Sequence, residues 1–271
     1  MPELPEVETT RRGIAPALIG RRVTDVIVRD RRLRWPIADD LEAAILHQTV
    51  RRIERRAKYL LIVFDTGTLI LHLGMSGSLR IVGADVPPKA HDHWDVHLDS
   101  GKALRFHDPR RFGSAHWTEA DPLEHKLLAK LAPEPLSDEF DGEYLFRATR
   151  KRTVAIKQFI MDSHVVVGVG NIYASEALFR AGIAPRRVAR RLTRAQASAL
   201  IRAIKDVLAE AIEIGGTTLR DYVNAEGLPG YFRQKLFVYE RGGQPCRVCK
   251  RPVKQFVQGQ RSTYWCAVCQ R

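Results

Sequence analysis

Four cysteines constrain this chain more than any other feature. They stand at Cys246, Cys249, Cys266 and Cys269, and the 245 residues before them contain none. Two C-x2-C knuckles separated by 16 residues bring four sulfurs to one tetrahedral centre, a donor set that suits Zn²⁺. All four ligand positions come from the protein, so one structural Zn²⁺ is expected. Two disulfides or four free thiols are the competing reading. The N-terminus is acidic, not a charged-then-apolar leader, so nothing suggests export to an oxidising compartment, and the metal is favoured. Residues 235–271 are then a zinc-ribbon β-hairpin.

That segment holds eight Lys or Arg against one acid, Glu240. The whole chain carries a net charge of +13. Such an excess points to a polyanionic partner, nucleic acid before a membrane surface. No apolar run reaches the roughly 18 residues of a membrane span, so a cytoplasmic protein is expected. Further basic clusters lie at Arg147, Arg150, Lys151, Arg152 and Lys157, and at Arg186, Arg187, Arg190, Arg191 and Arg194. Each alone is usually a solvated face; together they read as a track for phosphates.

At 271 residues the chain is long enough for two domains. Residues 2–19 read as one helix, with Val7, Thr10, Ile14 and Leu18 at helical spacing and Gly20 as its stop. The period then changes. Residues 23–28, 50–56, 59–64, 68–73, 78–82, 94–98 and 103–107 are short, β-rich and separated by turn signals, which argues a β-sandwich or barrel. Residues 132–141 open on Ala132-Pro133-Glu134-Pro135 and read as a linker after a first domain of 1–131. Helical spacing follows at 142–148, 153–162, 171–181 and 193–213. Residues 217–231 read as a long loop, of a length that is usually functional. The fold class is α+β in two domains, 1–131 and 142–234, with the hairpin 235–271 appended.

The first eight residues are Met1-Pro2-Glu3-Leu4-Pro5-Glu6-Val7-Glu8. Met is normally removed before a residue as small as proline, which leaves Pro2 as a terminal secondary amine. An α-amino group has a pKa near 8 and is partly unprotonated at neutral pH, so it is a usable nucleophile. Glu3, Glu6 and Glu8 could hold it, steer its proton or act as acid and base. The bland alternative is a helix start, which favours proline and acids in its first turn.

Other constellations carry less. Val165 to Asn171 has only two glycines of a dinucleotide fingerprint, but its Gly-rich turn offers N–H groups to a phosphate. His91, His93, Asp95 and His97 would share one strand face like metal ligands, although core, surface or phosphate-contact roles weigh more. The Gly-flanked turns Leu73-Gly74-Met75-Ser76-Gly77 and Arg110-Arg111-Phe112-Gly113 have tips able to wedge between base pairs.

Six segments together resemble the bacterial formamidopyrimidine-DNA glycosylase family, also called 8-oxoguanine DNA glycosylases. They are Pro2 to Glu8, Arg56-Ala57-Lys58-Tyr59-Leu60, His72 to Gly77, Asp108 to Gly113, Gly168 to Glu176, and the cysteine motif, in family order along the whole chain. The resemblance implies an N-terminal helix and β-sandwich, a helix–two-turn–helix domain, a zinc finger, and damaged double-stranded DNA in a cleft between the domains. It implies Pro2 as nucleophile, Glu3 as its acid/base partner, and Lys58 and Arg261 as phosphate-contacting groups that serve the two strand-cleaving eliminations. His91, Arg110, Lys151 and Asn171 match DNA contacts, and Met75, Arg110 and Phe112 match the triad that fills the gap left by an extruded nucleotide. No redox cofactor is implied, and a monomer is expected. Matching is least close in 183–194 and in 217–231, the family's lesion-reading loop. The related endonuclease VIII group favours oxidised pyrimidines; Leu4 and the Met/Arg/Phe set favour the purine enzyme. A zinc-ribbon DNA-binding protein without catalysis explains the charge and the cysteines but not the acid-flanked proline. A tautomerase with an N-terminal proline base leaves the cysteines unexplained.

Overall fold

The computed structural model describes residues 2–216 and 235–271, so the loop read at 217–231 lies outside the described residues. These residues divide into two compact units, 2–129 with 214–216, and 130–213 with 235–271.

In the first unit, helix α1 spans Leu4–Leu18 and buries Val7, Ile14 and Leu18 in the main apolar core. It ends where the sequence places its stop, with Gly20 left-handed at φ +79°. Strands β1 (Val23–Val28), β2 (Arg52–Arg56), β3 (Tyr59–Val63), β4 (Thr68–His72), β5 (Ser78–Gly83), β6 (Asp92–Leu98) and β7 (Lys102–His107) follow the seven expected positions closely. A short helix, α2 (Leu41–Ile45), and an eighth strand, β8 (Ser114–Thr118), were not expected. β8 lacks clear alternation and exists because β4 offers it a pairing edge, from Thr68 opposite Thr118 to His72 opposite Ser114.

The strands form two four-stranded antiparallel sheets, ordered β1-β6-β7-β5 and β2-β3-β4-β8. Val23, Leu79, Trp94, Val96 and Phe106 of one sheet share a core with Ile53, Leu60, Ile62, Leu69 and Leu71 of the other, which is the expected sandwich. Behind the first sheet lies a buried ion pair. Arg105 Nε and Nη2 donate to the two oxygens of its cross-strand neighbour Asp95 at 2.9 and 2.7 Å, and Arg29 Nη2 adds a third bond at 2.6 Å. Burial opposes ionisation of Asp95, but Arg105 and Arg29 outweigh it and hold the carboxyl below the usual range.

The second unit contains α3 (Gly142–Thr149), α4 (Ile156–Ile160), α5 (Asn171–Arg180) and α6 (Arg194–Glu213), each inside or within one residue of its expected range. Asp141 caps α3 by accepting from Tyr144 N at 2.6 Å. α6 buries Leu200, Ile204, Val207, Leu208 and Ala211, the stripe that its spacing requires. α5 holds it through a bidentate Arg180–Glu210 pair at 2.9 Å for each bond. Strands β9 (Lys254–Gln258) and β10 (Arg261–Trp265) form the C-terminal hairpin. Fully buried Glu176 on α5 accepts from the backbone N–H groups of Phe237, Val238 and Tyr239 at 2.8–2.9 Å, tying the approach to that hairpin onto the helix. Among the described residues no helix is long and apolar enough to cross a membrane.

Asp95→Ala is expected to remove about 3 kcal/mol of stability at neutral pH, because buried Arg105 loses its closest carboxylate and keeps only Asp92 at 3.7 Å and the carbonyls of Val86 and Pro87. The folded-state pKa of Asp95 is depressed, so its contribution is complete above the unfolded value near 3.9 and is lost as pH falls through the folded value. The deficit of the variant should therefore shrink below about pH 4. Denaturant titrations of both proteins at neutral pH and at pH 3 measure it, and a deficit that does not change with pH would count against the ion pair.

Candidate active site

In the first unit the residues of the N-terminus form the expected helix start. Pro2 and Glu3 are buried where the chain enters α1. Glu3 is the N-cap residue, and Pro5 in the first turn has no N–H left to satisfy. The three acids have different tasks. Glu6 Oε2 accepts from Glu3 N at 2.9 Å, so Glu6 is the reciprocal cap of the helix. Glu8 pairs with Arg11 at 2.8 Å, Arg12 at 3.0 Å and Arg55 at 3.2 Å. Burial resists its ionisation, and the three arginines outweigh that and hold it below the usual carboxylate range. Glu3 completes the reciprocal cap with Glu6, its side chain accepting from the Glu6 backbone N–H, and it is the acid next to Pro2 in the chain.

Arg55 carries this order to Lys58. Its Nε meets Glu8 while its Nη1 donates to Ala57 O at 3.0 Å. Ala57 and Lys58 form the two-residue turn between β2 and β3, where Arg56 pairs with Tyr59. Ala57 sits at φ +54°, a region that favours glycine, so this turn is held by its surroundings. Opposite it lies His72, the β4 partner of Tyr59, with ring centroids 4.9 Å apart. Burial, then the cations of Lys58 and Arg34, push His72 down to about 4, with Asp108 opposing. Its Nδ1 accepts from Gly74 N at 3.0 Å, so the neutral ring carries its proton on Nε2. Reading the sequence missed His72 as a site side chain, because only strand pairing brings it to Lys58.

Two turns of the same unit present the residues read as wedges. Met75 is 37% and Phe112 41% exposed, and Arg110 is exposed with its guanidinium 5.0 Å from the Phe112 ring centroid. A Cβ on Gly74, at φ +65°, would lie 2.3 Å from the Phe112 carbonyl carbon, so only glycine permits this approach of the turns. His91 is exposed at φ +70° and precedes β6, so it leaves the strand face it was grouped on. His93 bonds Asp108 O at 2.8 Å, and Asp95 holds Arg105. The His91/His93/Asp95/His97 arrangement is therefore no metal cluster; among the described residues only the cysteines gather as one.

In the second unit, Lys151 is exposed just beyond α3. Asn171 opens α5 after the left-handed Gly168. Its Nδ2 donates to Ser262 O at 3.0 Å, and its Oδ1 accepts from Lys157 Nζ at 2.6 Å. Lys157, grouped above with surface cations, is fully buried and also donates to Thr263 Oγ1 at 2.7 Å. It braces the hairpin and Asn171, not a phosphate track. Other members of the basic runs are likewise engaged: Arg150 and Arg194 pack over the Phe146 ring, and Arg186 over Phe256. Arg261 is exposed at the start of β10, beside a cavity of about 190 Å³ that Lys157, Gln258 and Gly259 also line.

The sulfurs of Cys246, Cys249, Cys266 and Cys269 all lie within 4.8 Å of one another, and none forms a disulfide. Cys246 and Cys269 are 3.9 Å apart, close to the roughly 3.8 Å edge of a tetrahedron with metal–sulfur bonds of about 2.3 Å. The residues therefore fit a four-thiolate centre.

Comparison with known proteins agrees across the chain. Residues 1–115 match the formamidopyrimidine-DNA glycosylase N-terminal domain, 131–223 the H2TH domain of the same enzymes, and 243–271 a zinc finger found in FPG and IleRS. Curated formamidopyrimidine-DNA glycosylases of Thioalkalivibrio sulfidiphilus and Pseudomonas entomophila are 64% and 60% identical over 100% of both chains. The Fpg protein of Thermus thermophilus has a TM-score of 0.89 at 41% identity, covering 99% of this chain and 98% of that one. A Lactococcus lactis Fpg variant in complex with Fapy-dG DNA has a TM-score of 0.93 at 31% identity, covering 100% of both.

The His72 imidazole should titrate near 4 by NMR. Lys58→Met removes a neighbouring cation and should move that midpoint upward. A wild-type midpoint at the ordinary 6.5 would contradict the arrangement at the β2–β3 turn.

Proposed function

The chain belongs to the formamidopyrimidine-DNA glycosylase family and is a DNA glycosylase and abasic-site lyase that removes oxidised purines in base-excision repair; from that premise we propose that Pro2 is its nucleophile and Glu3 the adjoining acid/base. The curated relatives' name and the full-length identity support this reading over a non-catalytic zinc ribbon or a tautomerase. A damaged base inside the duplex is out of reach, so it is flipped out at a cost of a few kcal/mol. Met75, Arg110 and Phe112 occupy the gap and offset that cost. The Pro2 amine attacks C1′ of the sugar and the base leaves with the electron pair of the glycosidic bond, taking a proton. The sugar ring then opens: the C1′–O4′ bond breaks, O4′ keeps its electron pair and takes a proton, and the secondary amine is left as an iminium whose positive charge acidifies the C2′ proton. Loss of that proton expels the 3′ phosphate, and a second elimination expels the 5′ phosphate.

Lys58 and Arg261 serve as phosphate contacts for these eliminations, and His91, Lys151 and Asn171 as further DNA contacts. We assign residues 1–131 to the catalytic domain, 132–141 to a linker, 142–234 to the helix–two-turn–helix domain with its lesion-reading segment 217–231, and 235–271 to the zinc finger. Cys246, Cys249, Cys266 and Cys269 hold one structural Zn²⁺, which stabilises the hairpin that presents Arg261. The single observation that carries the mechanistic reading is the buried Pro2 beside Glu3 at the head of a capped helix.

Borohydride reduces an iminium to a stable amine, so adding it during turnover of 8-oxoguanine duplex should link the protein to DNA covalently. Peptide mapping should find the adduct on the N-terminal peptide, and it should survive Lys58→Ala. An adduct on Lys58, or no adduct at all, overturns the assignment of Pro2.

Chelation of the metal, or Cys249→Ser, should unfold the hairpin and abolish binding of lesion DNA. Zinc contributes roughly 10–16 kcal/mol of apparent folding free energy in such modules. Metal-free protein that retains full affinity in a binding titration would refute the structural role.

A further inference from the structure

The two wedge turns lie far apart in sequence and carry side chains that gain little from the core. Met75 and Phe112 are each more than a third exposed. Asp108 is completely buried between them, and donors from both turns converge on its side chain. Oδ1 accepts from Ser76 Oγ at 2.7 Å in the first turn and from Arg110 N at 3.3 Å in the second. Oδ2 accepts from Gly113 N at 2.8 Å. Arg110 N also lies 3.3 Å from Ser76 Oγ, so the two turns meet directly as well.

The backbone of Asp108 is bound from further directions. Its N–H donates to His91 O at 3.0 Å, and its carbonyl accepts from Arg111 N at 3.2 Å and lies 2.8 Å from His93 Nε2. No slack remains around it. A Cβ on Gly113 would stand 3.1 Å from Asp108 Oδ2, and one on Gly77 only 2.2 Å from Leu73 O. One residue thus touches the segments that carry Met75, Arg110, Phe112 and His91. Every donor aimed at its side chain is an N–H or O–H, a set that an acceptor-only group satisfies in full. Loss of one such bond leaves a buried polar atom unpaired, a penalty that rigid positioning avoids.

We propose that Asp108 is a positioning residue for base extrusion, a brace that locks the Met75 turn, the Arg110–Phe112 turn and His91 into one preformed wedge. This rests on the reading of Met75, Arg110 and Phe112 as the gap-filling triad. The wedge enters the duplex already assembled, so no ordering of two loops is charged against insertion. The brace acts before chemistry: cleavage of a sugar that is already exposed does not need it.

Ser76→Ala removes the side-chain bond that joins the first turn to Asp108 and leaves Asp108 bonded to the second; Asp108→Asn weakens both sides. Each variant is compared with wild type and with Met75→Ala. The readouts are stopped-flow fluorescence of 2-aminopurine beside 8-oxoguanine in a duplex, excision from that duplex, cleavage of an abasic site in a single strand, and thermal unfolding. Ser76→Ala should slow the fluorescence step and duplex excision by about tenfold, the worth of one buried hydrogen bond. Single-strand abasic cleavage should stay within about twofold of wild type, a change too small to count as one bond. Equal loss of both activities together with a lower unfolding temperature means a merely structural Asp108 and overturns the proposal. So does unchanged extrusion in the brace variants while Met75→Ala loses it. Unchanged extrusion in Met75→Ala instead overturns the wedge reading beneath it. If Asp108→Asn does not fold, Ser76→Ala decides alone.

Discussion

The burial of one face of α1 is the constraint on which the rest depends. Pro2, the proposed nucleophile, leads directly into this helix, so the helix is what holds it still. A 15-residue helix is marginal in water by itself. Val7, Ile14 and Leu18 are inserted into the core between the sheets, and each such side chain contributes about 1.5–3 kcal/mol when fully buried. Glu6 closes the helix end from within, and Glu8 fixes the outer flank through Arg11, Arg12 and Arg55. Through Arg55 the same helix reaches the turn that carries Lys58. Fold and chemistry therefore share one support in this unit.

The second unit is arranged around two buried charged side chains with opposite duties. Glu176 gathers three backbone N–H groups ahead of the hairpin; burial raises its pKa above the ordinary range, and the N–H donors pull the other way. Lys157 spans α4, the head of α5 and strand β10 through Asn171 and Thr263. Buried polar groups of this kind cost little while satisfied and much when a partner is lost. The cysteine hairpin is thus oriented by buried polar groups as well as by its cysteines, and Arg261 inherits that orientation.

Groupings of residues that lie close together in the chain were legible in advance. Pro2 and Glu3 are neighbours, each cysteine pair spans four residues, and the turns around Met75 and Phe112 announce themselves by glycine. What escaped was made by pairing across the chain. β8 has no strand signal of its own and forms on the edge of β4. His72 sat inside a recognised motif, yet its neutral state comes from burial beside Lys58 and Arg34. Lys157 resembled its basic neighbours until packing buried it, and Asp108 stood at the edge of a matched segment with no role of its own until two turns closed over it.

By itself the sequence determined the α+β class, the N-terminal helix, seven strands, the helical segments, the metal knuckles and the family. These follow from periodicity, turn residues and local spacing, which act over a few residues and survive in any context. Only the tertiary structure decided which acid caps the helix and which pairs with arginines, which cations are internal, and which residue joins the Met75 and Phe112 turns. Those outcomes depend on desolvation and on strand register. A carboxyl or an ammonium looks the same in sequence whether it ends in water or in the core, and its energy there differs by several kcal/mol.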